Sequence, residues 1–313
     1  MTLPALVSLY ISHKRALGHR FRTEDAVLKS FCRVVGEDAG TSVDADVVLA
    51  FLNGTGPVTT YWVKKYHVLS GFYRFALARG FVSSVPLPHS IPRLSAPDFV
   101  PYIYSHAELK RLLDAVPAAC AGRSPIDAAV FRALLLLLYG AGLRISEAVS
   151  LNIADVDLDQ ACLIVRGTKF YKSRLVPLGK DLAQAMRDYV GKRNDRNASD
   201  TETPFFCFRD GAPLSKSAAR SAFRRLRAKA GVVREGGARQ QPRLHDLRHS
   251  AAVHRLVAWY RSGADLLDLL PKLATYLGHV NLAATQHYLT MTPDLLHEAS
   301  LRFERYAMEN DHD

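Results

Sequence analysis

Residues 245–249 read His-Asp-Leu-Arg-His, and this string limits what the second half of the chain can be. On a helix, His245, Arg248 and His249 are three or four positions apart and share one face. Two histidines at this spacing can bind zinc, but the metalloprotease motif H-E-x-x-H has glutamate where this chain has Asp246, and a guanidinium between the ligands repels a dication. An imidazole and a guanidinium at a helix start suit a phosphate instead. The plainest alternative is that the histidines satisfy core carbonyl groups.

Three other strings in this half of the chain carry polar residues at informative positions. GAGLRISEAVSL, residues 140–151, places Arg144 directly after a glycine-rich helix end, and Glu147 three residues later can hold the guanidinium in position. LGHVNLAATQHY, residues 277–288, holds a histidine and, nine positions later, a tyrosine. The β-rich stretch 161–178 contains GTKFYKSRLVPL and predicts a small antiparallel hairpin. Each string alone also fits ordinary packing or a structural ion pair.

In this order, GAGLRISEAVSL, GTKFYKSRLVPL, LHDLRHSAA and LGHVNLAATQHY resemble the tyrosine recombinase family, also called phage-integrase-like, which includes integrases and the Xer resolvases. The strings span about residues 140–290. The resemblance implies a mainly α fold with a small antiparallel β-sheet, in which a helical N-terminal core-binding domain precedes a mixed α+β catalytic domain. The segment between Arg248 and His279 is longer than in the Xer type, which departs from the family pattern.

The resemblance also implies which side chains carry the chemistry. In it Tyr288 is the nucleophile and Lys169 is the lysine of the hairpin turn. Lys172 lies in the same turn, but counting back from the RLVPL run places Lys169 at the family's position. The implied catalytic set is Arg144, Lys169, His245, Arg248, His279 and Tyr288.

These residue types suit attack on a phosphodiester without a metal ion. Two guanidiniums can neutralise the charge that builds on the nonbridging oxygens, while imidazoles donate hydrogen bonds or accept protons. A phenol with a pKa of about 10 needs a base or nearby cations to act as a nucleophile, and a lysine can protonate the departing 5′-hydroxyl. The sequence has neither G-x-x-x-x-G-K-[ST] nor a carboxylate cluster suited to two magnesium ions. We therefore expect no metal, ATP or other cofactor.

The length of 313 residues is about twice that of a common domain, so two domains are expected. Apolar residues at three- and four-residue steps predict short amphipathic helices near the start, and we assign residues 1–85 to a helical DNA-binding domain. Residues 86–104 are rich in proline and form the predicted linker. Ser105 and Glu108 have the spacing of a capping box, which opens the predicted catalytic domain, 105–313.

The charge balance favours a polyanionic partner. Forty-one Lys+Arg against thirty Asp+Glu give a formal net charge of +11, although a soluble basic protein without such a partner is the plain alternative. The candidates for contact with DNA lie on predicted helices 57–79 and 215–230 and in the hairpin turn, where a solvated charged face is the competing explanation. They are Lys64, Lys65, Arg74, Lys172, Arg220, Arg224, Arg225, Arg227 and Lys229.

The sequence thus predicts a site-specific DNA recombinase, of the kind that integrates, resolves, inverts or transposes DNA through a 3′-phosphotyrosyl intermediate. Its implied partners are a double-stranded recombination site and other protomers, as a tetramer on two sites, with a predicted amphipathic helix over 293–307 docked on a neighbour. A type IB topoisomerase, a non-catalytic regulator on the same fold and a zinc hydrolase are the alternatives. Scattered cysteines without CxxC, no secretion signal and no apolar run of about 18 residues predict a cytoplasmic protein.

Overall fold

A computed structural model describes most of the chain, namely residues 1–36, 39–93, 100–166, 173–193, 202–238, 240–279, 283–286, 288, 297–298, 300–301 and 304. The chain divides into two compact units, Met1–Phe99 and Val100–Asp313. This division falls inside the predicted linker, 86–104. Within the described ranges, no helix is both long and apolar enough to cross a membrane. Outside the described residues lie Lys169, Lys172 and most of the predicted helix 293–307.

Among its described residues the first unit contains four helices, so the prediction of short helices near the start is confirmed. They are α1 (Leu3–Ala16), α2 (Arg22–Val35), α3 (Ala45–Asn53) and α4 (Thr60–Ala78). The side chains of Asp44 and Thr59 accept backbone amide hydrogen bonds at the starts of α3 and α4, which satisfies donors that the helices leave unpaired. Phe31, Phe72 and Tyr73 are fully buried among the helices. The unit therefore has a hydrophobic core of its own.

The second unit is also mainly helical. Its helices are α5 (His106–Ala119), α6 (Ala128–Gly140), α7 (Ile145–Ala148), α8 (Lys180–Gly191), α9 (Lys216–Lys229), α10 (Asp246–Arg261), α11 (Leu266–Leu277) and α12 (Ala283–Gln286). The capping box before α5 is confirmed: Ser105 Oγ accepts from the amide of Glu108 at 3.2 Å, and Glu108 Oε2 accepts from the amide of Ser105 at 2.9 Å. Helix α6 is apolar on nearly every side, because it runs through the middle of the core.

A small antiparallel sheet completes the second unit. It has the order β1 (Val156–Asp157), β2 (Cys162–Val165) and β3 (Arg174–Pro177). Leu163 pairs with Val176, and both are fully buried, so one face of the sheet lies on the core. The predicted hairpin is confirmed, while the short first strand was not predicted. The fold class, mainly α with a small antiparallel sheet, is therefore also confirmed.

Close backbone packing brings the polar strings of the second unit together. Gly142 has φ +59°, and a Cβ at this position would lie 2.8 Å from Leu277 Cδ2, so the loop after α6 packs directly on the end of α11. Helix α11 ends at Gly278 in the left-handed conformation. Tyr288 packs in a small apolar cluster with residues of α10 and α11. The start of α7, the start of α10 and the end of α11 therefore surround one site.

Candidate active site

Arg144 is fixed by its own helix start and by the end of α11. Its Nη1 donates to Glu147 Oε1 at 2.9 Å, and its Nη2 donates to the carbonyl oxygen of Gly278 at 3.0 Å. The amide of Arg144 also donates to Glu147 Oε2 at 2.9 Å. The predicted hold of Glu147 on this guanidinium is thus confirmed. Because the Arg144 side chain remains 37% exposed, it can still meet a charged ligand from solvent.

Arg248 is a buried cation held by backbone carbonyl groups. The residue is 2% exposed, and its Nη1 and Nη2 donate to the carbonyl oxygens of Gly142 and Leu277 at 2.5 and 2.7 Å. Burial lowers the pKa of Arg248 to about 10, and the nearby charge of Arg144 acts in the same direction. The guanidinium therefore stays charged at neutral pH, although it lacks the solvation that favours the charged form.

Three histidines lie near these arginines, and their imidazoles are neutral at pH 7. Burial lowers the pKa values of His249 and His279 to about 4. His245 keeps more than a third of its surface exposed, yet partial burial of its imidazole lowers its pKa, and Arg248 lowers it further. The rings of His245 and His249 lie edge to face, 4.9 Å apart, while His279 Nδ1 shares a 2.7 Å hydrogen bond with the hydroxyl of Thr285. Neutral imidazoles can each donate or accept one proton.

Tyr288 lies against this group. It is 3% exposed, and its ring centroid is 5.9 Å from that of His279 and 5.6 Å from that of His249. Burial raises the pKa of Tyr288, while the positive charges of Arg248 and Arg144 oppose that rise. The structure thus brings together the predicted residues Arg144, His245, Arg248, His279 and Tyr288.

The metal interpretation of the histidine pair gains no support from its surroundings. Among the residues that the structure describes, no three His, Cys, Asp or Glu side chains are grouped as a metal site requires. The charged groups that act on the pair are Arg243, Arg248 and Asp246, and the Asp246 carboxylate is itself paired with Arg243, so the net charge near the pair suits an anion.

The chain is similar in sequence to known proteins of one family. The model described as the phage integrase family matches residues 103–294. The chain belongs to the phage integrase family. The inferred integrase/recombinase y4rB of Sinorhizobium fredii is 34% identical over 308 residues, which cover 97% of this chain and 98% of that relative. The tyrosine recombinase XerD of Corynebacterium glutamicum is 33% identical over 232 residues, which cover 74% of this chain and 70% of that relative.

The fold is shared with a solved structure of a lambda integrase tetramer bound to a Holliday junction. The TM-score is 0.65 at 17% identity, and the match covers 92% of this chain and 77% of that chain. Membership of the phage integrase family makes this protein a tyrosine recombinase, an enzyme that cuts and rejoins DNA, so the predicted family and activity are confirmed. It favours neither the topoisomerase, nor the regulator, nor the zinc hydrolase.

The site of this recombinase also contains side chains that the sequence analysis did not assign to it. Arg174, at the start of β3, donates from Nη1 and Nη2 to the two carboxylate oxygens of Glu147 at 3.0 and 2.9 Å. His249, considered above only as a zinc ligand, packs on Tyr288, and its buried Nδ1 has no hydrogen-bond partner among the described residues. The hydroxyl of Thr285 is hydrogen-bonded to His279. An arginine at the start of a strand and a threonine on a short helix are common at protein surfaces. Nothing in the sequence therefore marked Arg174 or Thr285 as part of the site.

The predicted DNA-contact residues of the recombinase divide into two groups. Lys65 Nζ donates to the carbonyl oxygens of Phe51 and Leu52 at 2.6 and 3.4 Å, so its ammonium group caps the end of α3. Arg227 and Lys229 likewise donate to backbone carbonyls within the second unit, at 2.7 and 2.8 Å. These three therefore hydrogen-bond to backbone carbonyls of the protein itself, although Lys229 is still exposed. The other described candidates are all exposed, and they are Lys64, Arg74, Arg220, Arg224 and Arg225.

Proposed function

We propose that this recombinase cuts DNA at a specific site by attack of Tyr288, forming a 3′-phosphotyrosyl bond and a free 5′-hydroxyl, and then rejoins the strand. The observation that carries the proposal is the placement of the buried Tyr288 against His249 and His279, close enough to Arg248 and Arg144 for their charges to oppose the rise in its pKa. A phenol near two cations is placed where negative charge on a phosphate is neutralised.

The chemistry follows from the charges of these groups. As the Tyr288 oxygen bonds to phosphorus, negative charge grows on the nonbridging oxygens, which Arg144 and Arg248 stabilise. The neutral imidazoles of His245 and His279 donate hydrogen bonds to the phosphate or accept the phenolic proton. The bond from phosphorus to the 5′-oxygen breaks, and that oxygen takes a proton from Lys169. Because one phosphoester bond replaces another, the 5′-hydroxyl can attack in reverse without a nucleotide triphosphate.

The remaining assignments complete the proposal. Residues 1–85 act as the core-binding domain, 86–104 as the linker and 105–313 as the catalytic domain. The exposed arginines of α9 and the exposed cations of α4 contact the DNA backbone. The partners are a double-stranded recombination site and three further protomers, like the tetramer seen for lambda integrase. With genomic DNA as its substrate, the protein works in the cytoplasm.

The role of Lys169 gives a prediction that separates proton donation from charge stabilisation. Lys169→Ala should slow cleavage of an ordinary strand by roughly 10²- to 10⁴-fold, because the 5′-oxygen leaves without its proton. A 5′-bridging phosphorothiolate should restore the rate, since sulfur leaves as a stable thiolate. Single-turnover cleavage measures both rates, and Lys172→Ala is the matched control in the same turn. If the phosphorothiolate restored the rate of Lys172→Ala but not of Lys169→Ala, the general acid would be Lys172.

Activity is expected to survive excess EDTA and the absence of ATP. The two arginines neutralise the phosphate in place of a metal ion, and the covalent bond retains the energy for rejoining. The measurement is strand cleavage and rejoining by protein dialysed against chelator. Loss of cleavage that zinc restores would instead favour the metal interpretation of His245 and His249.

The proposed function is tested by trapping the covalent intermediate. A duplex with a nick close to the scissile phosphate on its 3′ side releases a short strand after cleavage, so rejoining fails and the protein stays attached to DNA. Denaturing gels detect the product, and mass spectrometry of the nuclease-treated peptide should locate the modified residue at Tyr288. A protein that binds the site yet never becomes attached would contradict the proposal.

A further inference from the structure

The carboxylate of Glu147 is shared by two guanidiniums. Arg174 contacts both of its oxygens, whereas the Arg144 side chain contacts Oε1 alone. The side chains of Glu147 and Arg174 are 8% and 12% exposed, so this shared pairing is largely shielded from water. Burial by itself would raise the pKa of Glu147, but hydrogen bonds from Arg174 and Arg144 lower it to about 2. The carboxylate is therefore ionised throughout the physiological range.

Arg174 also contacts the end of α11. Its Nε donates to the carbonyl oxygen of Tyr276 at 3.1 Å. Its guanidinium lies so close to Gly278 that a Cβ there would be 2.7 Å from Nη1. The carbonyl oxygen of Gly278 in turn accepts from Arg144. One side chain of β3 thus contacts both groups that hold Arg144, namely Glu147 and the Gly278 segment.

We propose that Arg174 is a positioning residue that fixes the guanidinium of Arg144 and preserves its charge for the phosphate. A carboxylate paired with Arg144 alone would neutralise that arginine and could rotate toward it. With Arg174 on both oxygens, the carboxylate plane is fixed and its single negative charge is divided between two cations. The three groups together keep a net charge of +1, and the exposed side of Arg144 is where that charge meets solvent.

The proposal rests on the phosphotyrosyl mechanism proposed above, and two other roles for Arg174 have to be distinguished from it. Arg174 opens β3 five positions after Lys169 in the sequence, so the first alternative is that it orients the general acid. The second is an ordinary structural ion pair with Glu147. Removal of Arg174 would impair proton donation under the first alternative and folding stability under the second. Under the proposed role it would impair charge stabilisation.

The experiment compares Arg174→Ala and Arg174→Lys with Arg166→Ala. Arg166 follows β2 on the other side of the same turn and pairs with Asp155, so its variant removes an arginine–carboxylate pair from the same sheet without touching Glu147. Single-turnover cleavage is measured on three nicked substrates, in which the scissile group is a phosphate, a 5′-bridging phosphorothiolate or an uncharged methylphosphonate. Thermal unfolding of each variant is measured in parallel.

We expect Arg174→Ala to slow cleavage of the phosphate on the order of 10²-fold, the scale for a catalytic group displaced by about 1 Å. Arg174→Lys should recover part of the rate, and Arg166→Ala should match the wild type. The phosphorothiolate should leave the ratio of variant to wild type unchanged. On the methylphosphonate the rates of variant and wild type should be more similar, because an uncharged nonbridging group needs less charge stabilisation from Arg144.

Three results would overturn the inference. Rescue by the phosphorothiolate would show that Arg174 acts through the general acid. An equal loss on all three substrates, in step with a lowered melting temperature, would show a structural ion pair. A wild-type rate for Arg174→Ala would show no role in cleavage. If the wild-type protein itself forms no covalent complex, the proposed function fails, and that outcome is separate from these three.

Discussion

Tyr288→Phe is expected to abolish the covalent protein–DNA complex while site-specific DNA binding is retained. The substitution removes one oxygen and leaves a ring that still fills the buried site between His249 and His279. Loss of the hydroxyl should cost about 1 kcal/mol of folding stability at most, the scale of one hydrogen bond, which is too little to unfold a domain of this size. Denaturing gels of a labelled nicked substrate report the covalent complex, and native gels report binding.

Tyr276→Phe is the matched control for this experiment. Tyr276 lies near the end of α11, and its hydroxyl donates to the carbonyl oxygen of Pro177 at 3.2 Å. The control should still form the covalent complex. A complex that persists in Tyr288→Phe, or a phosphotyrosyl peptide that maps to Tyr276, would refute the assignment of the nucleophile.

Arg248→Ala should give the second large loss, on the order of 10²- to 10³-fold in cleavage rate, as when a direct stabiliser of a transition-state oxyanion is removed. A 5′-bridging phosphorothiolate should not restore the rate, because the missing group neutralises charge and does not donate the proton. The variant also leaves the buried carbonyl groups of Gly142 and Leu277 unpaired, which costs about 1–3 kcal/mol for each unsatisfied group. Its melting temperature should therefore fall.

Two further variants separate lost catalysis from lost stability. Arg248→Lys keeps a positive charge but cannot bridge both carbonyl groups as the planar guanidinium does, so it should remain slow. Arg255→Ala removes an exposed arginine from the same helix and should cleave normally. Rescue of Arg248→Ala by the phosphorothiolate, or wild-type cleavage by Arg248→Lys, would contradict the role proposed for this residue.

The sequence predicted the features that depend on local patterns. Helix positions follow from three- and four-residue apolar steps, and the capping box of Ser105 and Glu108 follows from a fixed spacing. The interaction of Arg144 with Glu147 is equally local, because the two residues are three positions apart. The five catalytic candidates that the structure describes could be named because each lies in a short string, and the family resemblance set those strings in order.

Features that depend on residues far apart in the chain could not be predicted in this way. The pairing of Arg174 with Glu147 joins a strand to a helix start, and neither residue type signals its partner at that separation. Lys65 resembled a DNA contact because a lysine on a basic helix is usually solvated, whereas α3 ends within its reach and supplies carbonyl oxygens. Two-residue strands such as β1 carry too few residues for an alternating pattern to be recognised.

The buried position of Tyr288 has a consequence for when cleavage begins. The residue is 3% exposed and packed against His249 and His279, so its hydroxyl has to be uncovered before it can reach a phosphate. The observed rate is then the intrinsic rate multiplied by the fraction of molecules in the open form, in which the Tyr288 hydroxyl is uncovered, and an open fraction of about 1% would slow cleavage about 100-fold. A correct DNA site or an adjoining protomer that binds the open form more tightly would accelerate cleavage without adding a catalytic group. Protection of the genome against stray nicks would then come from the rarity of the open form in the free protein.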